Sequence, residues 1–256
     1  MIDDGNELAP PTPLVSQPVS LDRPFPFWTF GDVVLFLGLA IPCFVMGFFA
    51  TAFVAKAIAG TRASEGLVML IGQFVGYVAA AVALWLLFRV RYDAGLRETL
   101  EWRLERREIL RAVNAGLGLA IGILILGAIL QTPQMDSPME KLLSDPVSLA
   151  AAAVLGVTLG PIFEEAFFRG LLQPLVVKVG GVAVGILMPA ALFGLLHGQQ
   201  YGWSWRHIVL VSAAGAAFGW KRQRARSVAA AALMHSTYNL FLFAGLIFGR
   251  NMTEGK

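Results

Sequence analysis

The 256-residue chain is poor in charge, cysteine and histidine. Only 14% of its residues are Asp, Glu, Lys or Arg, and 57% are hydrophobic. A soluble domain carries about 25% charged residues, so a water-soluble fold is excluded. The lone cysteine, Cys43, excludes an intrachain disulfide, and with no polar neighbour in its apolar run it makes a poor thiol nucleophile. Aspartate is missing from every apolar run after the first, which excludes the paired membrane aspartates of an aspartyl intramembrane protease. The acidic start (Asp3, Asp4, Glu7) has no basic stretch before an apolar core, so it is not read as a cleaved signal peptide. No internal repeat relates the two halves, which argues against a small transporter.

What the chain has instead is long apolar runs, at about 33–56, 67–88, 109–131, 147–163, 181–198, 207–220 and 227–248. A bilayer core takes roughly 20 such residues per helix. The expected fold is therefore all-α, a polytopic transmembrane bundle of about seven helices, with six and eight as the bounds. The sixth run is short and is expected to begin among Trp203 and Trp205. Residues 1–28 hold Pro10, Pro11, Pro13, Pro18, Pro24 and Pro26 and read as a disordered tail. Residues 29–250 read as one transmembrane domain.

Net charge is +3, but the 20 basic residues are not arranged for nucleic acid. Seven lie in 89–111 and four in 221–226, with Arg169 and Lys178 assigned to a connection over 169–178. The alternate connections hold Arg62, Lys141 and Arg206. Basic residues collect on the cytoplasmic side, so the tail is expected inside. Short loops and a compact chain fit a bacterial inner membrane. Leu96, Leu100 and Leu104 predict an amphipathic surface helix over 94–108. Ser137, Pro138 and Glu140 predict a capping box on the outer face.

Ionisable groups within apolar runs mark function by default. Over 147–198 they are Glu164, Glu165, Arg169, Lys178 and His197; over 227–249 there is only His235. Four residues apart on a helix, Glu165 and Arg169 share a face and form an ion pair. Glu164 points about 100° away and is free to face a cavity as a base. Phe193 and His197 share a face, as do His235 and Asn239. Amide and imidazole donors at the latter pair suit a developing oxyanion. A carboxylate, a histidine and oxyanion donors are the parts needed to hydrolyse a peptide bond without a covalent intermediate. Glu164, His197 and His235 are equally three metal-ligand types. Gly202-Trp203-Ser204-Trp205 only faintly matches a rhomboid serine motif.

Glu-Glu-x-x-x-Arg at Glu164–Arg169, then Phe-x-x-x-His at Phe193–His197, then His-x-x-x-Asn at His235–Asn239, resembles the CAAX protease and bacteriocin-processing (CPBP, or Abi) intramembrane proteases. That family includes the type II CAAX prenyl endopeptidase, and the resemblance covers about residues 147–245. It implies that Glu164 and His197 are catalytic and activate a water, and that His235 and Asn239 hold the oxyanion. Glu165 and Arg169 complete the first motif and, from their shared helix face, are expected to be supporting residues, with Phe193 packed beside His197. No cofactor is favoured, because His-Glu-x-x-His is absent; a zinc-dependent variant would use Glu164, His197 and His235. The implied partners are membrane lipids and a peptide or protein substrate, with a lipidated C-terminal tail as one form. A non-catalytic scaffold or immunity protein on the same fold is the alternative from another class.

Overall fold

The computed structural model describes residues 24–59, 64–133 and 145–254. Helix α1 spans Phe30–Ala59, α2 Glu65–Tyr92, α3 Leu96–Thr99 and α4 Arg106–Ile129. Helices α5 (Pro146–Val157) and α6 (Leu159–Glu165) run on through a π-helical stretch at Ala166–Leu172 into α7 (Gln173–Leu196). A 3₁₀ turn at Gly198–Tyr201 leads to α8 (Trp205–Ala225), and α9 is Val228–Glu254. No strand occurs among the described residues.

Among the described residues, five stretches are long and apolar enough to cross a membrane. The longest, Pro146–Leu196, is not one crossing. At Gly181 φ is 76° and the chain leaves the helical region, a conformation glycine adopts without a Cβ penalty. A Cβ at Gly185 would sit 3.0 Å from the Val177 Cα, so the second limb folds straight back along the first. With the two limbs counted separately and α8 added, the described residues form seven long helices. Many large apolar side chains, Phe53, Ile58, Val90 and Ile129 among them, face outward, as a lipid-facing surface requires.

Helices pair as α1 on α2, α4 on α9 and α7 on α8. The α4–α9 crossing is close, because a Cβ at Gly116 would lie 2.5 Å from the Met234 carbonyl. Small residues at such crossings let helix backbones approach where no water-driven force is present. One core gathers Trp28, Phe36, Phe88, Phe168 and Leu171. A second gathers Ala112, Phe218, Met234 and Tyr238.

Both ends of the bundle are tied by caps. Ser64 caps α2, and Asp145 caps α5 by accepting from the Ser148 N–H at 2.8 Å, with Pro146 at the first helical position. The Ser64 hydroxyl donates to Asp145 at 2.8 Å, so the starts of α2 and α5 lie side by side. At the other end the Ser227 hydroxyl caps α9 at the Ala230 N–H and donates to the Arg103 carbonyl.

Three expectations are corrected here. The amphipathic surface helix over 94–108 reduces to the four residues of α3, and Leu100 is buried against Gly170. Leu100 serves the interior and Leu96 packs half-buried beside it, while Leu104 is exposed, so the every-fourth-residue pattern does not mark one continuous helix face. The connection over 169–178 is helical throughout, and Arg169 is buried within it. In the cluster 221–226, Lys221 and Arg222 are buried and paired with Glu108 and Glu101. The capping box at Ser137–Glu140 lies outside the described residues.

Candidate active site

The fourth crossing enters the bundle through α5, breaks at Thr158 and presents Glu164 and Glu165 at the end of α6. The π-helical stretch follows immediately. Its wider turns release carbonyls from the regular ladder, and such bulges cluster at functional sites. Leu171 O accepts from the Trp28 indole at 2.9 Å, and Arg169 O accepts from Arg222 Nε at 3.2 Å. One turn on, Gln173 donates to the Gly219 carbonyl at 3.0 Å. Released backbone groups therefore find side-chain partners from distant segments.

The two adjacent glutamates sit in different surroundings. Glu165 is fully buried; its Oε1 accepts from Arg169 Nη1 and from His235 Nδ1, each at 3.0 Å. Arg169 donates its other terminal nitrogen to the Gly215 carbonyl at 2.6 Å and is surrounded by the rings of Phe168, Phe193 and Phe218 at 5.0–5.5 Å. Those contacts combine ion pair, hydrogen bond and cation–π attraction. Glu164 points instead into a cavity of about 430 Å³. Tyr77 Oη donates to its Oε1 at 3.4 Å, and His235 Nε2 lies 3.9 Å from its Oε2.

His197, Phe193, His235 and Asn239 line the same cavity as Glu164. Phe193 packs on His197 with ring centroids 4.4 Å apart. His197 Nδ1 lies 2.8 Å from the Phe193 carbonyl. A carbonyl only accepts, so Nδ1 carries the proton and Nε2 keeps its lone pair. The same reasoning applies to His235, whose Nδ1 faces the Glu165 carboxylate and whose ring stacks on Phe218 at 4.3 Å. The donor expected at an oxyanion is thus occupied by Glu165, and only imidazolium offers a second. Asn239 likewise gives one N–H to the Gly156 carbonyl at 2.6 Å, leaving one for the cavity.

Among the described residues, no three His, Cys, Asp or Glu side chains gather as a metal-binding group. Glu164, His197 and His235 line one cavity without forming such a group.

Sequence reasoning missed the contribution of α2. Tyr77 reaches Glu164 and accepts from Gln73 at 2.9 Å. A tyrosine and a glutamine four apart in an otherwise apolar run were the available signal. Arg222 was read as a surface charge, although it holds the π-helical stretch.

Residues 146–241 match the family model described as type II CAAX prenyl endopeptidase Rce1-like. No curated protein and no solved structure matches the chain. The matched segment begins with α5 and includes Glu164, His197, His235 and Asn239, while Tyr77 and Gln73 come from outside it. Through this segment, less than half of its length, the chain, an integral membrane protein with seven long helices among the described residues, is similar to the Rce1-like type II CAAX prenyl endopeptidases.

Proposed function

We propose that the protein is an intramembrane endopeptidase that hydrolyses a peptide bond with a water activated by Glu164 and His197. The observation that carries this reading is the division between the glutamates. Glu165 is held by Arg169 and His235, whereas Glu164 faces the cavity beside two imidazoles that keep Nε2 lone pairs. Water placed between Glu164 and His197 loses a proton to the carboxylate as its oxygen attacks the peptide carbonyl. The free Asn239 N–H, and His235 once protonated, stabilise the oxyanion that forms. Collapse of the tetrahedral intermediate expels the amine, which takes the proton back from Glu164. Glu165, Arg169 and Phe193 are supporting residues that fix His235 and His197.

The same reading places the basic end of the bundle, and with it the tail, in the cytoplasm of a bacterial cell, with the chain in the inner membrane. Substrates are peptides or proteins, lipidated C-terminal tails included. The test compares membrane peptides in cells expressing the wild type and Glu164→Ala. Peptides present only with the wild type are expected; identical peptide profiles overturn the proposal.

A further inference from the structure

The cavity has a direction. Its inner end is at Phe193, Phe218 and His235, and its walls continue along α9 through Leu242 to Leu246, along α2 to Leu70 and past His197 to Tyr201. From His235 to Leu246 is about 16 Å of helix, and from Tyr77 to Leu70 about 10 Å, at the usual rise per residue. All these walls advance toward the end where α2 and α5 begin, the end tied by Ser64 and Asp145. The basic end lies the other way. Arg89 and Arg91 close α2, Arg106 and Arg107 open α4, and Arg224 closes α8, with Arg226 just beyond. The far end carries fewer basic residues: Lys56 closes α1, Arg206 opens α8 and Arg250 lies near the end of α9, with Arg62 and Lys141 in the connections of the sequence there.

A second cavity, of about 320 Å³, lies on the basic side against Leu96, Leu100 and Trp102. It shares Tyr77 with the first, and the Tyr77 ring packs on Phe163 at 4.7 Å where the two adjoin.

We infer that the site receives its peptide from the membrane face opposite the basic end, so its substrates are segments displayed on the non-cytoplasmic side. The peptide part of this inference rests on the endopeptidase reading; the direction of access does not. The occupant is an extended segment whose side chains next to the cleaved bond are apolar. The wall is built from Tyr77, Tyr201, Tyr238, Phe193, Phe218 and Phe243, and Glu164, His197 and His235 are its only carboxylate or imidazole groups among the described residues; no lysine or arginine lines it. Such a wall favours apolar side chains and would leave a buried substrate charge unpaired.

Access is measured without any substrate. In a Cys43→Ser background, Leu70→Cys and Leu246→Cys mark the outer wall, and Arg107→Cys marks the basic end. Intact cells and inverted membrane vesicles are treated with a membrane-impermeant maleimide. Leu70→Cys and Leu246→Cys are expected to react in intact cells, and Arg107→Cys only in inverted vesicles. If the wall cysteines react only in inverted vesicles, or in neither preparation while reacting after denaturation, the inference is overturned. Labelling as expected alongside identical peptide profiles for wild type and Glu164→Ala would overturn the peptidase reading and leave the direction of access standing.

Discussion

Behind the cavity wall, the region around Glu165 and Arg169 is closed: both side chains are at most 1% exposed and hold each other at 3.0 Å. Only the width of one residue away, the region in front of the wall is open, with Glu164 22% exposed and two histidine Nε2 atoms available. The sequence places two identical carboxylates next to each other, and helix geometry gives them opposite duties. The rear group is held by Arg169 and His235, while the front group is left facing the cavity, where the proposed chemistry would take place.

The comparison is broken most severely from behind. Arg169→Met leaves Glu165 buried with its charge uncompensated by the guanidinium, which costs about 3–5 kcal/mol and is expected to prevent stable folding. Thermal unfolding in mild detergent measures it, and Glu165→Gln combined with Arg169→Met should recover part of the loss. If Arg169→Met melts like the wild type, the rear region is not structural. A steric wedge is the next largest change. Gly116→Leu forces α4 away from the Met234 carbonyl and is expected to cost about 1–3 kcal/mol by overpacking, with Glu164 chemistry reduced only as far as folded protein is lost.

Trp28→Phe removes the indole donor to Leu171 O while keeping an aromatic ring in the core. The carbonyl released by the π-helical stretch is then unpaired, at an expected cost of about 1–3 kcal/mol, read by the same unfolding measurement. The smallest effect lies at the far end. Hydrogen bonds from Ser148 and Ser64 lower the Asp145 carboxyl from 3.8 to about 2. Its folded value is depressed, so its contribution is present above pH 3.8 and is lost as pH falls toward 2. A melting-temperature series from pH 5 to 2 should show a fall that Asp145→Asn lacks.

The front region was readable in the sequence because a membrane tolerates few polar groups. Glu164, His197, His235 and Asn239 are conspicuous against their apolar neighbours, and i,i+4 spacing aligns them. That spacing also gave the Glu165–Arg169 pair, and the apolar runs gave the seven helices. Contacts closed by the fold were hidden. Nothing local in Arg222 says that it reaches Arg169 O, 53 residues away, or in Trp28 that it reaches Leu171 O. Leu100 looked like a surface leucine because its partner, Gly170, has no side chain to announce the contact. The turn at Gly181 was legible only as the start of a new run, since a left-handed φ at glycine leaves no pattern around it.

The division of duty is tested most directly by treating the neighbours alike. Glu164→Gln and Glu165→Gln are purified side by side, and each is measured for melting temperature and for release of the peptides seen with the wild type. The account predicts that Glu164→Gln melts with the wild type and releases none, whereas Glu165→Gln melts well below both. Full peptide release by Glu164→Gln would contradict it.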